Sequence, residues 1–239
     1  MLVNTQGVVL NHILFGDNDL IVKILTREVG LISFLVKRGR KNKKKILQPL
    51  MVVSVLFNYR KNKNFQYIKE LTLDGVPNNI LVNYKKRNTI LFLCEIITRS
   101  VTDEMVDFDL YNFIYKNLNW LNSAPSSVSY FDIWFLIHFT GVLGVSPNCS
   151  DVKKTDSFKF NPLAGSFFVS KLRQIDNEWS EDLSKLLYNF LHANVEDLHN
   201  FSLSYNTYKV LLDKILNYYS IHVCELNYKN SVNVYKELL

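Results

Sequence analysis

Cysteine is scarce. Its three thiols, Cys94, Cys149 and Cys224, lie far apart and form no C-x-x-C pair. That spacing excludes a disulfide framework, and it excludes a structural zinc site, which needs four ligands. Cys94 and Cys224 fall within apolar helical patterns and read as small core residues. Glycine (8) and proline (5) are sparse as well, which argues against long flexible linkers. No segment approaches the roughly 18 apolar residues that span a bilayer. The opening MLVNTQGVVLNHIL has no basic stretch ahead of an apolar one, so it is not a secretory signal, and a cytoplasmic protein is expected. The catalytic signatures G-x-x-x-x-G-K-[ST], G-x-S-x-G and H-E-x-x-H are all missing. The five histidines are scattered. His138 sits in an apolar helix as a core residue, and His192 and His199 are not one helical turn apart. The acidic pairs Asp103-Glu104 and Glu181-Asp182 stand near helix starts, where the dipole favours them. On this reading the chain has no catalytic residues, no metal and no cofactor.

What is present is an ordinary globular balance, 48% apolar and 21% charged over 239 residues, with a net charge of +6 that is unevenly spread. Residues 1–90 hold sixteen of the 28 Lys and Arg but five of the 22 Asp and Glu, a net of +11; the remainder carries −5. Such asymmetry points the N-terminal part at a polyanion.

Turn clusters divide residues 1–75 into five strands: Val3–Leu14, Leu20–Thr26, Leu31–Val36, Leu50–Tyr59 and Phe65–Leu73. Alternation puts Phe65, Tyr67, Lys69 and Leu71 on one face of the last. Five short strands in this length predict a small bent barrel of the oligonucleotide-binding (OB) type. After Pro77 the period changes to that of a helix, with Leu81, Tyr84, Ile90, Leu91, Cys94 and Ile97 forming a stripe. Asp109–Leu121 is a second helix. Ser126-Ser127 opens a third, Val128–Leu143, apolar nearly all round and therefore buried. Residues 144–176 read as irregular, Trp179–Leu191 and Ser204–Val223 as helices, and Ser231–Leu239 as a short terminal helix. The predicted class is α+β: an N-terminal five-stranded OB-fold barrel over 1–77, then an all-helical domain over 78–239 with an irregular, zinc-free insert at about 146–176.

The strongest local feature is Lys37 to Lys45 (KRGRKNKKK), where seven of nine residues are cationic. Cations crowded in one loop repel each other, and phosphates relieve that repulsion with release of counterions. The residues expected to contact DNA phosphates are Lys37, Arg38, Arg40, Lys41, Lys43, Lys44 and Lys45, with Arg60, Lys61 and Lys63 from the last hairpin turn. Lys85-Lys86-Arg87 on the first helix is a third basic set. Phe34, Phe57, Tyr59, Phe65 and Tyr67 interleave with these charges, and Tyr59, Phe65 and Tyr67 are the candidates for stacking on bases. Two other uses fit the same residues. One is an RNA-binding or ribosome-associated OB protein. The other is a protein-interaction adaptor whose basic loop is a solvated face.

The order of segments resembles the bacterial RecO family of DNA repair proteins. The likeness runs through Phe15–Val22, Leu25–Leu31, Val36–Lys41, Gln48-Pro49-Leu50 and Tyr67–Glu70. It continues through Asp109–Phe113, Phe131–Leu136, Leu143–Asn148, Tyr218–His222, Asn230-Ser231-Val232 and Val234–Leu239. The resemblance implies a mediator that binds single- and double-stranded DNA and anneals complementary strands. It also implies that RecR helps it load RecA onto DNA coated by the single-stranded DNA-binding protein, whose acidic C-terminal tail it recognises. Many members carry a four-cysteine zinc module after the central helix. Here that stretch has only Cys149, so the chain resembles the zinc-free branch, with packing expected from Phe158, Phe160, Leu163, Phe167 and Phe168.

Overall fold

The computed structural model describes residues 1–17, 19–37, 47–75, 77–101, 106–125, 128–169, 177–224 and 235. The chain divides into two compact units, Met1–Ser126 and Ser127–Leu239.

The first unit begins with five antiparallel strands: β1 Leu2–Phe15, β2 Asp19–Thr26, β3 Gly30–Val36, β4 Val52–Asn58 and β5 Ile68–Gly75. They are hydrogen-bonded in the order β3-β2-β1-β4-β5. A parallel bridge between Phe34 and Gln66 joins the two ends, so the sheet closes in the circular order of an OB-like barrel. Closure removes the open edges a twisted five-stranded sheet would otherwise present. β-branched and aromatic side chains fill the inside, among them Val22, Ile24, Val53, Val55, Phe34 and Phe57. The Phe34 and Phe57 rings meet edge to face at 4.9 Å, an arrangement worth about 1 kcal/mol beyond burial alone. A Cβ at Gly7 would lie 2.5 Å from Cγ2 of Ile24, so only glycine lets β1 approach β2 this closely.

Helices α1 Asn78–Val82, α2 Tyr84–Ser100 and α3 Phe108–Ser123 complete the unit. The expected single helix after Pro77 is broken at Asn83, whose extended backbone ends α1 and whose side chain accepts from the Lys86 N–H to cap α2. The break resets the helical phase. Tyr84 and Leu91, expected on the inner stripe, are exposed, while Phe92, Leu93 and Ile96 join Ile90, Cys94 and Ile97 inside. α3 is anchored at its start by Asp107, which accepts from the N–H groups of Asp109 and Leu110. Its Tyr111 hydroxyl reaches Oε1 of Gln6 on β1 at 3.0 Å.

The second unit centres on α4 Phe131–Val142, buried on nearly every side as expected. It starts three residues later than the Val128 predicted, because Tyr130 takes a left-handed conformation (φ 62°). Its ring packs on Phe190 and Tyr208, and its hydroxyl accepts from the Leu203 N–H. Ser126-Ser127, read as that helix's opening, lies outside the described residues. Around α4 lie α5 Glu181–His192, a 3-10 turn Val195–Asn200 and α6 Tyr205–His222.

The stretch 144–176 is not wholly irregular as expected. It contains a hairpin, β6 Phe158–Asn161 and β7 Ser166–Val169. Asn161 accepts from the N–H groups of Leu163 and Ala164, and Gly165 supplies φ +62° to the turn. Phe158, Phe160 and Phe167 are buried, as expected, but Leu163 sits at the turn and is 57% exposed, so it is no part of that core. Of the terminal helix expected at 231–239, only Tyr235 is among the described residues. It is buried and helical, and its hydroxyl donates to Asp132 at 2.9 Å.

Candidate nucleic-acid interface

Strand register gathers three loops at one end of the barrel. Leu14 pairs with Leu20, and Leu20 pairs with Val36. The β1–β2 turn and the root of the basic loop, which leaves β3 at Lys37, are therefore neighbours. The β4–β5 connection joins them through Gln66, whose N–H donates to Ser33 O and whose C=O accepts from Leu35 N, both at 2.9 Å. Phe65 then meets Phe15 with ring centroids 6.0 Å apart.

Gln66 also shapes the connection from within. The residue is 97% buried. Its amide nitrogen donates to Arg60 O at 2.9 Å and Lys63 O at 3.2 Å, and its amide oxygen accepts from Arg60 N at 3.0 Å. One glutamine thus holds the 60–66 turn in a fixed shape. In and just after that turn Arg60, Lys63, Phe65, Tyr67 and Lys69 line a depression of about 580 Å³, with Asn62 and Asn64 beside them. Cations and rings share one open concavity, the pairing that suits a strand carrying both phosphates and unpaired bases.

The predicted contacts distribute unevenly over this geometry. Arg60, Lys63, Phe65 and Tyr67 come together around the depression, with Tyr67 53% exposed. Lys61 is exposed in the same turn but is not on that lining. Lys37 is exposed where β3 ends. Tyr59 is half-buried, edge-on to Phe57 at 6.3 Å. Arg38, Arg40, Lys41, Lys43, Lys44 and Lys45 lie outside the described residues. Phe34 and Phe57, read as aromatics among the charges, are wholly buried in the barrel core. Lys69 lines the depression and was not singled out, although alternation had placed it on one face with Phe65 and Tyr67.

The third basic set is not a single surface patch. Lys85 and Arg87 are exposed, but Lys86 is buried. Its ammonium donates to Leu121 O at 2.8 Å and Ala124 O at 2.5 Å, closing the C-terminal end of α3. A lysine there satisfies carbonyls that have no partner within the helix and complements the dipole. Burial lowers its pKa.

Elsewhere, His138, expected in the core, is half-buried, with Nε2 3.1 Å from Phe190 O, and burial lowers its pKa. Cys94 is buried, and burial raises its thiol to about 12. Among the described residues no group of three or more His, Cys, Asp or Glu is arranged to hold a metal, and no helix is long and apolar enough to cross a membrane.

Comparison with known proteins places this architecture. Residues 1–75 match the family described as Recombination protein O N terminal, and residues 86–231 match Recombination protein O C terminal. The chain is 30% identical to the DNA repair protein RecO of Phocaeicola vulgatus, covering 100% of this chain and 99% of that one. It is 28% identical to the RecO of Azobacteroides pseudotrichonymphae, covering 93% of each, and 28% identical to that of Bacteroides fragilis, covering 100% and 99%. With both halves matched in order and relatives aligned from end to end, the chain belongs to the RecO (Recombination protein O) family.

Proposed function

We propose that this chain is a non-catalytic DNA-binding protein of DNA repair and homologous recombination, which holds DNA at the loop end of its barrel and promotes pairing of complementary strands. The observation that carries the reading is the depression where Arg60, Lys63 and Lys69 stand beside Phe65 and Tyr67. Exposed Lys37 and Lys61 extend its charge, and the cations at 38, 40, 41, 43, 44 and 45 are assigned to the same use from the sequence alone. Two strands repel through their phosphates, and a cationic surface that takes up both lowers the barrier to their pairing. No bond is made or broken by the protein, so no cofactor enters. As a member of its family the protein would act with RecR to load RecA, reaching coated DNA through the acidic tail of the single-stranded DNA-binding protein, in the cytoplasm at the nucleoid.

The test is fluorescence-monitored annealing of complementary oligonucleotides without ATP, at several salt concentrations, with and without the cognate single-stranded DNA-binding protein. Salt-sensitive acceleration that survives coating and needs the coating protein's tail is the expected result. Changing Arg60, Lys63 and Lys69 together to Ala removes three phosphate contacts and should lower the salt slope for single strands by about 2. Unchanged affinity and slope in that variant would move the DNA site elsewhere.

A further inference from the structure

Resting on the nucleic-acid reading above, we propose that Phe15 and Phe65 form a two-ring platform for unpaired bases, so that this end of the barrel distinguishes single strands from duplex. Phe15 is 47% exposed at the end of β1. Its position is not accidental to a loose loop: it pairs with Asp19 across the hairpin, and Gly16 turns the chain directly after it at φ +59°. Phe65 is half-buried and is fixed by its neighbour Gln66, which is bonded on both its backbone and its side chain. Two rings fifty residues apart thus meet on the surface. Their centroids are 6.0 Å apart and their planes meet at 51°, so no base fits between them. They offer one bent apolar face instead.

The charges around this apolar face suit a polynucleotide. Arg60, Lys63 and Lys69 line the depression beside Phe65, and Lys37 is exposed at the end of the barrel that carries Phe15, where Asp17 is the exposed carboxylate. A polynucleotide backbone is drawn to the cations on either side of the ring pair. A strand lying here therefore has partners for its phosphates while its bases turn toward Phe15 and Phe65. Unpaired bases can present their faces this way, whereas those in the interior of a duplex are already stacked on both sides. Duplex DNA meets the cations alone.

The experiment measures binding of a fluorescein-labelled oligodeoxythymidine and of a labelled closed circular duplex, which has neither ends nor unpaired bases, to the full chain, by anisotropy. Phe15→Ala should weaken oligodeoxythymidine binding about tenfold and change duplex binding less than twofold. Phe15→Trp should retain single-strand affinity, and the indole it introduces should be quenched by oligodeoxythymidine but not by the duplex. Because Phe15 is surface-exposed, both variants should melt close to the parent. Loss of affinity for both probes alike, or no loss for either, overturns the platform while leaving the phosphate site intact. A parent protein that binds neither probe overturns the nucleic-acid reading, and the platform with it.

Discussion

Gln66 is the residue on which the candidate interface depends most, and its replacement gives a quantitative test. Gln66→Ala removes three side-chain hydrogen bonds, two to the carbonyls of Arg60 and Lys63 and one from the Arg60 N–H. A neutral hydrogen bond contributes about 1 kcal/mol net. The abandoned backbone groups lie at the edge of the turn, where water can replace part of the loss, so a destabilisation of about 2 kcal/mol is expected rather than 3. For a chain of this size that lowers Tm by roughly 4–8 °C. The second consequence is functional: Arg60, Lys63 and Phe65 lose their fixed relation, and DNA affinity should fall although no contacting side chain was altered. Gln66→Glu sharpens the test. A buried carboxylate can still accept from the Arg60 N–H, but it cannot donate to two carbonyls, so its pKa in the folded state would be raised. A raised carboxylate binds its proton in the folded state first, so the variant should lose stability as pH rises from about 4.3 toward that raised value, relative to the parent. Urea denaturation read by intrinsic fluorescence at pH 4.5 and 7.5, with oligonucleotide anisotropy alongside, supplies both numbers. Parent-like stability in both variants would show that the turn holds its shape without Gln66, and the reasoning would be wrong.

Two further predictions concern the scaffold. Lys86→Met keeps the apolar stem and removes the ammonium from the end of α3, leaving Leu121 O and Ala124 O without it. Charge-assisted bonds of this kind support a loss of about 2–4 kcal/mol, whereas Lys85→Met on the exposed side should change stability by less than about 0.5 kcal/mol. Equal effects in chemical denaturation would refute the buried-cap assignment. Asp132 accepts from Tyr208 and Tyr235 in a fully buried site, and burial raises its pKa although both hydroxyls pull it down. With the folded value above the unfolded one, ionisation costs stability as pH rises from the ordinary carboxylate range through the raised value. The stability of Asp132→Asn minus that of the parent should therefore grow across this window and level off above it. A difference independent of pH would contradict the assignment.

How much of this was legible beforehand differs by element. The five strands were readable because each alternates or runs apolar between turn residues, and barrel closure follows from strand count and length. Lys86 shows where reading failed. Three consecutive cations look equivalent until the helical phase is known, and the phase is set by the cap at Asn83. Counted from there, Lys86, Ile90, Leu93 and Ile97 lie on one stripe, so the buried lysine was visible in principle to anyone who placed the cap. The β6–β7 hairpin was missed because four-residue strands show barely two alternations, although Phe158, Phe160 and Phe167 carry the inward set.

The interface divides along the same physical line. Phe65, Tyr67 and Lys69 alternate with the buried Gln66 and Ile68 across the start of β5, a two-residue period that is local and therefore readable. Phe15 joins them only because the β1–β2 turn and the β4–β5 connection meet at one end of the barrel, a contact between residues fifty positions apart that no local pattern encodes. The same closure fixes where β3 ends. Leu20 lies between Leu14 on β1 and Val36 on β3, so Lys37 stands at the same end of the barrel as Phe15, and not at the opposite one. A basic run placed in the β2–β3 turn, where Thr26 pairs with Gly30, would have the same composition but would not share this end with the two rings. The order of strands, more than the number of lysines, makes the N-terminal charge a candidate site.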